Sequence, residues 1–162
     1  MTNEGFADSA HMILYHVNLG WPLVEEGGVL TIPSSIVEPR DEVSAGGLAR
    51  INEIGPPSAD SRDEVFLHRF DKTGLSEVGL RNPRLGLGLT MRFDSMQLPV
   101  LYQWNKFNEG SYVLGLEPAN CAGIMGRSQA RADGILPMLG AGESVSYKIE
   151  FEFDESDRVP GL

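Results

Sequence analysis

From Val145 to Phe153 every second residue is apolar: Val145, Tyr147, Ile149, Phe151 and Phe153 alternate with Ser146, Lys148, Glu150 and Glu152. Successive side chains of a strand point to opposite faces, so this spacing predicts a core strand over 144–153 with Tyr147, Ile149 and Phe151 buried. Other short runs rich in Val, Ile, Leu, Phe and Tyr read as strands at 12–19, 29–32, 65–70, 76–81, 85–93, 100–104 and 111–117. The 19 Gly and 10 Pro lie largely between them, the punctuation of strands joined by turns. The expected fold is all-β.

Two stretches break the pattern. Residues 38–62 are polar and rich in Gly, Pro and Ser, with a short helical turn within 41–52, and read as a long loop. A loop of that length is either a binding or lid element or a solvated insertion. Residues 127–133 form a second polar connection with helical character. At 162 residues the chain suits a single domain, 1–162, built on one hydrophobic core.

Charge narrows the partners. The formal net charge is −10, and the 13 Lys and Arg are scattered instead of forming a stripe that could neutralise phosphates, so no nucleic acid and no membrane surface is expected as a partner. With Cys121 as the one cysteine, no intrachain disulfide can form, and a reducing, cytoplasmic setting fits best. The apolar run Met12-Ile13-Leu14-Tyr15 is cut short by His16, and no basic stretch precedes it, so neither an export signal nor a membrane span is expected.

Most familiar chemistries lack their residues. His11 and His16 fall on opposite faces of a regular strand, and no His-x-His, Cys-x-x-Cys or His-Glu-x-x-His spacing occurs, so no metal site is expected. Gly86-Leu87-Gly88 lies inside a strand-like run with no helix start after it, which fits a bulge or close sheet contact better than a phosphate loop. No Gly-x-Ser-x-Gly is present, and Cys121 has no base nearby in sequence.

Two polar features remain. His16 and Asn18 share one face of an apolar strand, where buried polar groups need partners from the core or from a ligand. Glu117 ends another apolar strand, on the face of Ser111, Val113 and Gly115, whose small side chains leave room beside it. Desolvation there would raise its pKa toward the range useful to a general base; at a wet rim it would be an ordinary carboxylate.

These residues resemble a known family. His16-Val17-Asn18-Leu19-Gly20 resembles the histidine strand of the aldose 1-epimerases, the galactose mutarotase-like superfamily, and Leu116-Glu117 resembles the strand that carries their catalytic glutamate. Leu14 to Leu23, Asn82-Pro83 with Gly86 to Leu89, Leu98 to Trp104 and Gly115 to Cys121 resemble an aldose-epimerase-like branch, in the same order along nearly the whole chain. Mutarotases usually place the histidine four residues before the Asn-Leu pair, whereas His16 stands two before Asn18; both placements face the same side.

The resemblance implies a carbohydrate-binding protein that interconverts anomers or epimers by acid–base catalysis, with His16 and Glu117 as the catalytic pair, no cofactor and a small-molecule sugar as partner. Asn18, His68, Gln103, Trp104 and Lys106 are the expected substrate contacts, although Gln103 and Lys106 point to opposite faces, so at most one easily joins Glu117. Trp104 is either a core aromatic or a sugar platform. The resemblance also implies an antiparallel β-sandwich, a supersandwich about twice this size, so the chain is expected to be its C-terminal half, needing an N-terminal half or self-association. The alternatives are a non-catalytic carbohydrate-binding or regulatory module, and an isomerase or epimerase acting on a sugar acid.

Overall fold

The computed structural model describes residues 1–71 and 74–155. In chain order its strands are β1 (Ser9–Ala10), β2 (Val17–Gly20), β3 (Val29–Thr31), β4 (Ile36–Pro39), β5 (Glu64–Arg69), β6 (Leu75–Asn82), β7 (Leu87–Asp94), β8 (Val100–Asn108), β9 (Ser111–Ala119), β10 (Met138–Leu139) and β11 (Ile149–Glu155). Two short helices, α1 (Glu42–Gly47) and α2 (Arg127–Ala132), lie in the two polar connections. The fold is all-β: a five-stranded sheet ordered β2-β9-β8-β5-β4 and a four-stranded sheet ordered β11-β7-β6-β3, with a small β1-β10 pair. Every pairing is antiparallel.

Alternation builds the core. Leu101, Leu114 and Leu116 from the larger sheet pack with Leu30, Val78, Leu80, Met91 and Phe93 from the smaller, and Phe70 meets Phe93 edge-on with ring centroids 5.3 Å apart. On its outer face the smaller sheet carries a charge ladder in which Arg92 joins Glu77 on one side and Glu152 on the other, the latter at 2.6 Å. Among the described residues no helix is long and apolar enough to cross a membrane.

The larger sheet has a second apolar cluster on its other face, formed by Val65, Val100, Tyr102 and Ala119. That face carries the polar residues of interest, and its floor is set by the same alternation that fills the core behind it.

The 38–62 stretch is less of a loop than its composition suggests. It opens on the end of β4, and Asp41 caps α1 by accepting from Ser44 N and Ser44 Oγ, both at 2.8 Å. Ser44 Oγ in turn accepts from Val65 N at 2.9 Å, which ties the helix to β5.

The 144–153 expectation needs correcting. Regular strand runs only over β11, and Phe151 and Phe153 are 47% and 73% exposed. They do face inward, opposite Met91 and Leu89, but β11 is the sheet's edge and no described element covers it there. Tyr147 and Ile149 are half-buried against the core. The 12–19 strand is likewise shorter, reduced to β2 plus an isolated bridge from Leu14 to Ala119.

Candidate active site

The site is assembled by register. β2, β9 and β8 lie side by side, with Asn18 opposite Gly115 and Gly115 opposite Trp104; Glu117 is opposite Tyr102. His16 precedes the Val17–Leu116 pair by one residue, which sets it beside Glu117. Its Nε2 stands 3.0 Å from Glu117 Oε1.

The two partners have different surroundings. The His16 side chain is 50% exposed and that of Glu117 only 9%. Burial pushes the Glu117 carboxyl above the usual carboxylate range, and the charge of His16 pulls it partly back. Asn18 Oδ1 lies 2.9 Å from His16 Nδ1. An amide oxygen only accepts, so Nδ1 carries a hydrogen and Nε2 is left as the atom that gains or loses a proton toward Glu117.

Trp104 forms the wall of this pair. Its ring meets the His16 ring edge-on at 5.7 Å, its Nε1 donates to Asp63 Oδ2 at 3.2 Å, and Lys106 Nζ donates to Asp63 Oδ1 at 3.1 Å. Gly115 makes the arrangement fit: a Cβ there would stand 2.8 Å from Glu117 Oε1 and 3.1 Å from Trp104 Cβ. The space beside Glu117 that small neighbours leave is thus partly taken by the indole.

His16, Asn18, Trp104, Lys106 and Glu117 therefore share one face. His68 and Gln103 do not. They sit on the reverse face, buried in the sandwich, where His68 Nδ1 meets Ser34 Oγ, His68 Nε2 meets Gln103 Oε1, both at 3.0 Å, and Gln103 Nε2 donates to Ile51 O and Asn105 Oδ1 at 2.9 Å. Their reading as substrate contacts is corrected: one residue of parity separates Gln103 from Trp104, and the buried chain uses their polar atoms internally. Burial pushes His68 down to about 4.

Asp63 was not singled out from sequence. It lies just before β5, two residues from Val65, so the alternation of that strand carried one step back would have put it on the Val65 face. His11 is remote from this face, bonded to Tyr147 OH at 2.9 Å. Among the described residues no three His, Cys, Asp or Glu side chains gather as a metal site.

A family model described as a domain of unknown function (DUF4432) matches residues 1–153. The chain belongs to the DUF4432 family. No curated protein matches it. This DUF4432 chain is similar to a crystal structure from Klebsiella pneumoniae subsp. pneumoniae described as a "putative aldose 1-epimerase", with TM-score 0.85 and 25% identity, over 97% of this chain and 41% of that one. The DUF4432 fold is thus aldose-epimerase-like, and the chain spans about two-fifths of that protein's length.

Proposed function

We propose that the protein is an aldose-1-epimerase-like isomerase of carbohydrate metabolism, in which His16 and Glu117 interconvert the anomers of an aldose. The observation that carries this reading is the 3.0 Å contact between a half-exposed imidazole and a buried carboxylate beside an indole, on a face whose fold is that of aldose epimerases. Trp104 offers its ring to the apolar side of a sugar, and Asp63 and Lys106 offer polar groups to hydroxyls.

The chemistry starts with one proton on the pair, on His16. Glu117 takes the proton of the anomeric hydroxyl while His16 Nε2 gives its proton to the ring oxygen, and the bond from C1 to that oxygen breaks. The open aldehyde turns about its C1–C2 bond. The ring hydroxyl then attacks the other face of C1, returning its proton to His16, and Glu117 returns the other to the new anomeric oxygen. Both groups end as they began, and no cofactor takes part. A raised Glu117 pKa makes the carboxylate a stronger base, and each positioned group is worth about 10² to 10⁴ in rate.

The test is anomer exchange by saturation-transfer NMR over a panel of aldoses, with binding followed by calorimetry. Glu117→Gln keeps shape and hydrogen bonding and removes the base, so exchange should fall to the uncatalysed rate while sugar still binds. Wild-type protein that binds sugars and exchanges none would favour a binding module; exchange undiminished in Glu117→Gln would remove the carboxylate from the mechanism.

A further inference from the structure

Behind the site face, where Glu64 of β5 pairs with Asn105 of β8, the inward side of the larger sheet opens into a cleft of about 590 Å³, a size that suits a small ligand. One wall is the connection over 38–62, whose composition fits either a binding element or a solvated insertion. The structure pins it to the sheet. Ile51 O accepts from Gln103 Nε2 at 2.9 Å, Ser58 N donates to Phe107 O at 2.9 Å, Ser61 O accepts from Asn108 Nδ2 at 2.6 Å, and Gly55 O accepts from Tyr112 OH. The wall is therefore preformed.

Two floor residues are almost wholly buried and still have polar atoms to offer. Glu64 and Asn105 are direct cross-strand partners, 9% and 4% exposed. Arg50 Nη2 donates to Glu64 Oε1, and the backbone of α1 closes one side of the carboxylate, since a Cβ on Gly47 would stand 2.7 Å from it. Asn105 Oδ1 accepts from Gln103 Nε2 at 2.9 Å. That leaves Glu64 Oε2 as an acceptor and Asn105 Nδ2 as a donor without partners among the described residues. Neither is sealed in, because the unpartnered side-chain atom shut away from solvent among the described residues is Asn108 Oδ1. An acceptor and a donor on neighbouring strands, carried by residues that folding has already desolvated, thus face the cleft.

We infer that this cleft is a separate, non-catalytic binding site and that its ligand is a neutral sugar held through two adjacent hydroxyls. The inference does not depend on the function proposed above. A hydroxyl both donates and accepts, so one can give its hydrogen to Glu64 Oε2 while its neighbour takes one from Asn105 Nδ2. Phe107, two residues on from Asn105 and so on the same face of β8, offers its ring to the C–H side of a pyranose. Charge argues against ions of either sign. Glu53 and Asp60 join Glu64 in the lining and repel an anion, while Arg50 and Arg62 repel a cation.

Methyl glycosides test this apart from the catalytic reading, because they keep the ring hydroxyls and lack the anomeric hydroxyl that exchange requires. The probes are methyl α-mannopyranoside, methyl β-galactopyranoside and methyl α-glucopyranoside, whose adjacent hydroxyls cover cis and trans arrangements, with glycine as a zwitterionic control. Binding is mapped on the backbone amides of ¹⁵N-labelled protein in a ¹H–¹⁵N correlation spectrum. The expected result is that at least one glycoside moves the signals of Arg50, Ser58, Arg62 and Asn105, and that His16→Asn binds it as tightly as wild type. Glu64→Gln keeps an oxygen for Arg50 and turns the open acceptor into a donor, so it should weaken binding about tenfold. Should that variant fail to fold, the wild-type map decides alone. No movement at those four positions with any glycoside overturns the inference, as does movement confined to His16, Trp104 and Glu117, or undiminished binding by folded Glu64→Gln. Glycine moving those signals where the glycosides do not makes the cleft a zwitterion site and overturns the sugar. A protein that exchanges no anomers yet binds a glycoside in the cleft loses the epimerase reading and keeps this one.

Discussion

His68 shows how a polar residue can look functional and be structural. It lies on a strand that reads as apolar, and its burial holds it near a pKa of about 4 against an ordinary value of 6.5. Because the folded value lies below the unfolded one, the unfolded chain binds the extra proton first as pH falls. Stability is therefore full above about pH 6.5 and is lost between there and about pH 4, by roughly 3 kcal/mol at most from this group. Denaturant midpoints measured across that window should fall for wild type and fall less for His68→Gln, which keeps polar atoms but cannot titrate. Equal slopes would mean that other groups dominate. At this scale the sequence made His16, Asn18 and Glu117 visible, since each is a polar side chain at a defined parity on an apolar run. It could not separate Trp104 from Gln103, because parity says that two neighbours face apart and not which of them faces the core.

Strand identity was legible where the alternation was strong, and burial was not. β5, β6, β7, β8 and β9 fall within a few residues of their predicted ranges, because each is covered on at least one face and its apolar period is clear. β4 was hidden by the proline and glutamate at its end, and its edge position beside β5 tolerates both. β11 has the cleanest period of all and is among the least buried strands, since alternation records which side a residue faces and not whether another layer lies there. The consequence is measurable. Phe93→Ala, at a fully buried ring packed on Phe70, should cost about 3–5 kcal/mol of unfolding free energy. Phe151→Ala on the edge strand should cost no more than about 1 kcal/mol. Similar losses at the two positions would mean that β11 is covered in solution.

At the scale of the whole molecule, the sandwich uses one face of its larger sheet for the core and leaves the other to carry the site. Register across β2, β9 and β8 brings together residues a hundred positions apart, and that long-range pairing is the part that no local pattern contains. The resemblance to aldose epimerases supplied it in outline, and the 3.0 Å contact between His16 and Glu117 gives it a geometry. The central claim is that these two side chains act as one proton-exchanging unit on a sugar. A double-variant cycle on anomer exchange tests it: His16→Asn, Glu117→Gln and the two together, each measured by saturation-transfer NMR with the sugar that wild type turns over fastest. If the pair is a unit, either single change removes nearly all of the catalysis and the double variant is no slower than the worse single. Losses that multiply, or a single variant that exchanges as fast as wild type, would contradict the account.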